Sequence, residues 1–180
     1  MRIEKEKTAA VVIDMQEKLF PVIAEYEQLL ARMRILLQGL RTLKIPVTLT
    51  EQYPRGLGET ISSVKELVPE IRPVEKVEFS CYDCPDISSW LKEQERETVL
   101  VAGIEAHVCI LQTVLDLLEA GYQPIVVEDC ISSRRKAEKN VAVERMRQEG
   151  ARVTTAESIL FEMLRKAGTD EFKEISRLVK

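Results

Sequence analysis

The sequence predicts a single three-layer α/β/α domain over residues 1–180, built on a six-stranded, mostly parallel sheet of Rossmann-like type. Three observations carry that expectation. Apolar, β-branched runs alternate with segments of helical period. Those runs are continuous rather than alternating, as in strands covered on both faces. No repeat, linker or low-complexity stretch interrupts the alternation.

The elements follow in order. "TAAVVID", Thr8 to Asp14, reads as a first strand ending in a carboxylate. From Tyr26 to Leu43 the apolar residues Leu29, Leu30, Met33, Leu36, Leu37 and Leu40 keep helical spacing. "IPVTLTE", from Ile45, is the second strand, and "QYPRGLGET" after it is rich in turn residues and predicts a loop. "SVKELVP" predicts a short helix closed by Pro69, and "RPVEKV" a short third strand. A helix over about Asp86–Glu95 leads to the fourth strand, "ETVLVAG". The next helix, about His107–Ala120, meets Gly121, a natural residue just past a helix end. "YQPIVVED" is the fifth strand, "SRRKAEKNVAVERMRQEG" a charged amphipathic helix, and "ARVTT" the sixth strand. "SILFEMLRKAG" and a last short helix complete the chain, their apolar faces suited to covering a sheet edge or a second copy.

Composition narrows the function. Apolar residues make up 45% of the 180, enough for a sizeable core. The 26 basic against 30 acidic residues give −4, which argues against a nucleic-acid backbone as partner. No run approaches the roughly 18 apolar residues of a membrane span. The charged N-terminus has no signal-peptide core, so a cytoplasmic protein with reduced thiols is expected. The four cysteines, Cys81, Cys84, Cys109 and Cys130, and the lone His107 do not form a zinc spacing, so no metal and no cofactor are expected.

In open α/β sheets, sites form beyond the carboxyl ends of the strands. Asp14 ends the first strand, Lys76 the third, and Cys109 follows the fourth at the head of a helix. Singly, each has a plain explanation: a turn residue, a solvated cation, a core thiol. Together they offer a base, a cation and a nucleophile.

The segments "VVIDMQEKLF", the Lys of "EKVEFS", "VAGIEAHVC" and "LLEAGYQPIVVEDCISS" resemble the isochorismatase-like cysteine hydrolases, which include nicotinamidases and N-carbamoyl amidohydrolases. "TEQYPRGLG" and "GIEAHVCILQT" resemble the isochorismatase domain-containing subgroup. The resemblance implies a triad of Cys109 as nucleophile, Asp14 as its base and Lys76 as the charge between them. It implies an oxyanion hole from the backbone amides of Glu105 and Cys109, and a cis peptide between Ile104 and Glu105. It also implies a small-molecule substrate and a homo-oligomer. A cation and a helix N-terminus lower a thiol pKa, so Cys109 is expected to be acidified.

Other motifs weigh less. His107 precedes Cys109 by two residues, and i and i+2 do not share a helix face, so it is not the expected base. Cys81 and Cys84 have C-x-x-C spacing without the early βαβ context of a redox motif, and Cys130 suits packing. The nicotinamidases' Asp/His metal site has no histidine to match it in "TEQYP". Gln52, Tyr53 and Phe20 are candidate substrate contacts, each equally plausible as a loop or core residue. Arg134–Lys136 reads as a solvated basic face.

The expected activity is hydrolysis of a C–N bond in a small amide or carbamoyl compound through a covalent thioester. The alternatives are a vinyl-ether hydrolase, which does not need Cys109, and a non-catalytic interaction protein on the same scaffold.

Overall fold

The computed structural model describes residues 2–180. Its sheet contains β1 (Thr8–Ile13), β2 (Val47–Gln52), β3 (Val74–Lys76), β4 (Thr98–Ile104), β5 (Gln123–Ser132) and β6 (Arg152–Thr154). The spatial order is β3-β2-β1-β4-β5-β6, and every neighbouring pair is parallel. The chain builds outward from β1 to β3, then returns to the other side of β1 with β4. The order therefore reverses between β1 and β4, and the crevice that such a reversal opens lies at their carboxyl ends.

All six residues of β1 and all seven of β4 are buried. Because side chains alternate along a strand, one run feeds two cores. Ala10, Val12, Leu100, Ala102, Ile125 and Val127 pack against α1 (Tyr26–Thr42) and α7 (Ala156–Leu164). Val11, Ile13, Val99, Val101 and Val126 pack with Ile87 and Leu91 of α4 (Pro85–Glu93), Val114 and Leu117 of α5 (Leu111–Glu119), and Ala142 and Met146 of α6 (Lys136–Gln148). At about 1.5–3 kcal/mol for each large aliphatic side chain buried, these two layers supply the main drive to fold.

Several boundaries differ from the sequence expectation. The turn-rich stretch after β2 contains a helical turn, α2 (Pro54–Leu57), with Pro54 at the position where its fixed φ suits a helix start. The helix expected up to Pro69 is one turn, α3 (Ser62–Lys65), followed by bonded turns. β5 runs three residues past Asp129 to Ser132, and its register against β4 shifts between Val101 and Gly103. The apolar faces of the C-terminal α7 and α8 (Asp170–Leu178) are partly covered within the chain. Phe161 and Phe172 meet edge to face at 6.1 Å, and Ile175 is fully buried. The chain itself covers part of this face, while Phe161, Leu164 and Phe172 still line an open hollow. Among the described residues, no helix is long and apolar enough to cross a membrane.

Candidate active site

The site begins with a close approach of two strands. Gly103 stands opposite Ile13, at φ +118°, and a Cβ there would lie 2.1 Å from the Ile13 carbonyl oxygen. Only glycine fits that contact. It seats the end of β4 against the end of β1, where Asp14 follows at φ +51°, a left-handed turn that Asp and Asn tolerate better than most residues. The Ile104–Glu105 peptide just beyond is cis.

After Glu105 the chain enters α5 through a wider turn, Ala106–Ile110, wound as a π-helix. Its closing bond runs from Ile110 N–H to the Glu105 carbonyl at 3.2 Å. Cys109 lies in this turn and is 6% exposed. The Thr113 hydroxyl donates to the Cys109 carbonyl at 2.7 Å and accepts the Cys81 N–H at 2.8 Å, tying the turn to the loop after β3.

Lys76 ends β3 and is 3% exposed; Asp14 is wholly buried. The ammonium donates to Asp14 Oδ2 at 2.9 Å and to Gln52 Oε1 at 2.7 Å. The carbonyls of Glu78 and Phe79 stand 3.1 and 3.3 Å away. Asp14 Oδ1 accepts the Thr50 hydroxyl at 2.7 Å. The carboxylate is thus held at both oxygens, and a buried ion pair of this kind persists only with such additional hydrogen bonds.

The electrostatics correct one expectation. The Cys109 thiol is raised, not lowered. Burial contributes most, then the Asp14 carboxylate, against which Lys76 pulls down; the hydrogen bond to Asp14 also favours the protonated thiol. Cys81, fully buried 3.8 Å from the Thr50 hydroxyl, is pushed up to about 12 by burial, with Lys76 opposing. Burial draws the Lys76 ammonium down, but the facing charges of Cys81, Asp14 and Cys109 outweigh it and hold its pKa above the ordinary lysine value. At rest the arrangement is a protonated thiol beside a carboxylate–ammonium pair, not a preformed thiolate.

The other sequence candidates fall in different places. Gln52 is committed within the protein: its Oε1 accepts from Lys76, and its Nε2 donates to the Val77 carbonyl at 2.8 Å. Tyr53, 55% exposed, forms one wall of an open cleft of about 590 Å3 that reaches Lys76 and continues over Pro54, Val77, Cys84 and Pro85. Asp14 and Cys109 are not among that cleft's walls. Phe20 sits in the core and meets Tyr26 edge to face at 5.5 Å. His107 Nδ1 is hydrogen-bonded to Ser133 Oγ at 2.9 Å. Glu105 Oε2 accepts from the backbone and side chain of Arg134, so the basic stretch after β5 is partly paired. Among the described residues, no three His, Cys, Asp or Glu side chains gather as metal ligands.

Sequence reasoning missed Gln16 and Thr50, and weighed Cys81 only as half of a C-x-x-C pair rather than as a neighbour of Lys76. Gln16 is fully buried two residues after Asp14, and a long amide placed directly after an apolar strand was the available signal. Thr50 alternates onto the same sheet end as Gln52, and the strand period alone would have paired them.

Comparison with known proteins agrees with this fold. Residues 8–158 match the family described as "Isochorismatase domain". The mouse protein named isochorismatase domain-containing protein 2A is 41% identical over 180 residues, covering 99% of this chain and 85% of the relative. The secreted isochorismatase effector Isc1 of Phytophthora sojae is 35% identical over 184 residues, covering 99% and 87%. A solved structure from Caenorhabditis elegans, described as MAR1 ribonuclease, superposes with a TM-score of 0.93 at 37% identity, covering 99% of this chain and 92% of that one.

Proposed function

The chain belongs to the isochorismatase family of hydrolases, and within it we propose a cysteine hydrolase that cleaves the C–N bond of a small amide or carbamoyl compound. The convergence of Cys109, Asp14 and Lys76 in one buried cluster carries this reading.

The raised thiol dictates the order of events. A protonated thiol needs a base at the moment of attack. As Cys109 Sγ bonds to the carbonyl carbon, its proton passes to Asp14. The carbonyl oxygen becomes an oxyanion, for which the backbone N–H groups of Glu105 and Cys109 are the proposed donors. Collapse breaks the C–N bond, and the leaving nitrogen takes the proton from Asp14. Water then attacks the thioester, Asp14 again receives the proton, and the acid departs with the thiol restored. Lys76 holds Asp14 by its hydrogen bond and offsets the negative charge that sulfur and oxygen carry along the way.

Tyr53 is the proposed wall of the approach. The enclosure of Cys109 favours a small substrate. The ribonuclease name of the nematode relative suggests a second substrate class. In this chain the cleft beside Lys76 presents Glu75, Glu78 and Asp86 against Arg55, a balance that repels a phosphate backbone. The proposed assembly is a homo-oligomer. Its motives are the exposed apolar set Tyr53, Val77 and Phe79 beside the edge strand β3 and the partly open face of the C-terminal helices.

A hydrolysis screen over small amides and ureides tests the activity, with Cys109→Ala as the blank. Turnover by the parent protein and none by the blank supports the reading. Turnover of these amides retained by the blank rejects Cys109 as the nucleophile.

A further inference from the structure

We propose that Gln52 is a positioning residue: a neutral acceptor that aims the Lys76 ammonium at Asp14 and Cys109, and that Gln16 holds in place. This rests on the cysteine-hydrolase reading above.

The inference comes from how completely Gln52 is engaged. Its side-chain oxygen takes one proton of Lys76 at 2.7 Å, the shortest of the contacts that ammonium makes. Its side-chain nitrogen is anchored on the Val77 carbonyl, so the amide cannot flip without losing both bonds. Its backbone is held equally firmly. Gln16 Oε1 accepts the Gln52 N–H at 2.8 Å, and Gln16 Nε2 donates to the Gln52 carbonyl at 2.9 Å and to the Gly58 carbonyl at 2.7 Å. The Gln16 amide thus satisfies both backbone groups of Gln52, as a neighbouring strand residue would. β2 is fixed at the point where its last side chain meets Lys76.

The choice of glutamine has an electrostatic reason. The titratable groups facing the ammonium are Asp14 from the end of β1, Cys81 from the loop after β3, and Cys109 from the turn before α5. From β2 come the neutral Thr50 and Gln52. Asp14 and Lys76 balance each other until the thiol proton leaves. A carboxylate at position 52 would divide the ammonium between two anions and add a negative charge beside the sulfur. The amide supplies the same acceptor geometry without that charge.

Alkylation of Cys109 by iodoacetamide, followed by mass spectrometry from about pH 6 to 10, reads this without needing the substrate. Gln52→Glu, nearly isosteric, is expected to move the profile to higher pH and slow alkylation about tenfold at fixed pH, the change for one pKa unit. Gln52→Met, which keeps length and loses the acceptor, is expected to slow it by at least about threefold. If Gln52 acts through Lys76, Gln52→Met adds nothing in a Lys76→Met background. Independent, additive effects of the two substitutions would overturn the proposal, as would a Cys109 profile unmoved by both Gln52 variants. Should either Lys76→Met protein fail to fold, the Gln52→Glu shift alone decides. A Lys76→Met protein that folds and alkylates at the parent rate removes the cation from the reading of the site itself, and this proposal with it. A dead parent enzyme with the Gln52 effects intact rejects the hydrolase reading alone.

Discussion

Replacing Lys76 with Met removes the buried cation and leaves its neighbours in place. In the parent protein the Lys76 and Asp14 side chains are both fully shielded from solvent, 2.9 Å apart. Without the ammonium, Asp14 keeps its hydrogen bonds from the Thr50 hydroxyl and the Cys109 thiol, and Gln52 Oε1 loses its donor. Breaking a buried pair from one side costs about 3–5 kcal/mol, because the partner charge stays behind. That is a large share of the roughly 5–15 kcal/mol that holds a domain folded. The cost should depend on pH. An unpaired buried carboxylate takes a folded-state pKa above its unfolded value near ~3.9. The folded variant then holds a proton that the unfolded chain releases. Its stability should therefore fall as pH rises from about 4 through the raised value, and level off above it. Urea unfolding of parent and variant at pH 5 and pH 8 measures this. The deficit should be larger at pH 8, and adding Asp14→Asn to Lys76→Met should recover most of it. A deficit below about 1 kcal/mol, equal at both pH values and untouched by Asp14→Asn, would refute the buried-pair reasoning.

Three further outcomes follow from the structure. Gly103→Ala should destabilise by more than about 3 kcal/mol in the same urea assay, since its Cβ would meet the Ile13 carbonyl at 2.1 Å and its φ is +118°; a loss under about 1 kcal/mol would show that the two strands are not so closely seated. Cys109 alkylation should climb through the alkaline range without a plateau near neutrality, Cys81 should stay unreactive until unfolding, and Asp14→Asn should speed Cys109 alkylation while abolishing hydrolysis; a neutral plateau, or an Asp14→Asn protein that alkylates more slowly, contradicts the raised thiol. Sedimentation at micromolar concentration should give a dimer or larger species that Val77→Glu dissociates, whereas a parent protein that is monomeric throughout removes the exposed patch as an interface.

Much of the fold was legible because burial on two faces leaves an unmistakable pattern. "TAAVVI" and "TVLVAGI" read as parallel strands without help from anything distant. Three strand-end positions sufficed to bring Asp14, Lys76 and Cys109 to one edge. What stayed hidden depends on side-chain direction. Gln52 looked like a substrate contact because it ends a strand, yet its amide turns to Lys76 and Val77. Phe20 looked like a pocket wall, but the chain after Asp14 carries it into the core. The sign of the Cys109 shift also escaped. Spacing shows that a cation and a helix end are near, but not that burial and an adjacent carboxylate outweigh them. The extended end of β5 was missed because the charged Glu128–Asp129 pair reads as a strand end, while Cys130 to Ser132 beyond it are buried.

The nucleophilic role of Cys109 is tested most directly by trapping the intermediate. Protein mixed with a substrate identified in the screen is quenched in acid within the first turnovers, and the intact mass and cysteine peptides are measured. The mechanism predicts an added acyl mass on Cys109 alone, absent from Cys109→Ala and from Asp14→Asn. Turnover with no adduct on Cys109, or an adduct on a different residue that persists in Cys109→Ala, would contradict it.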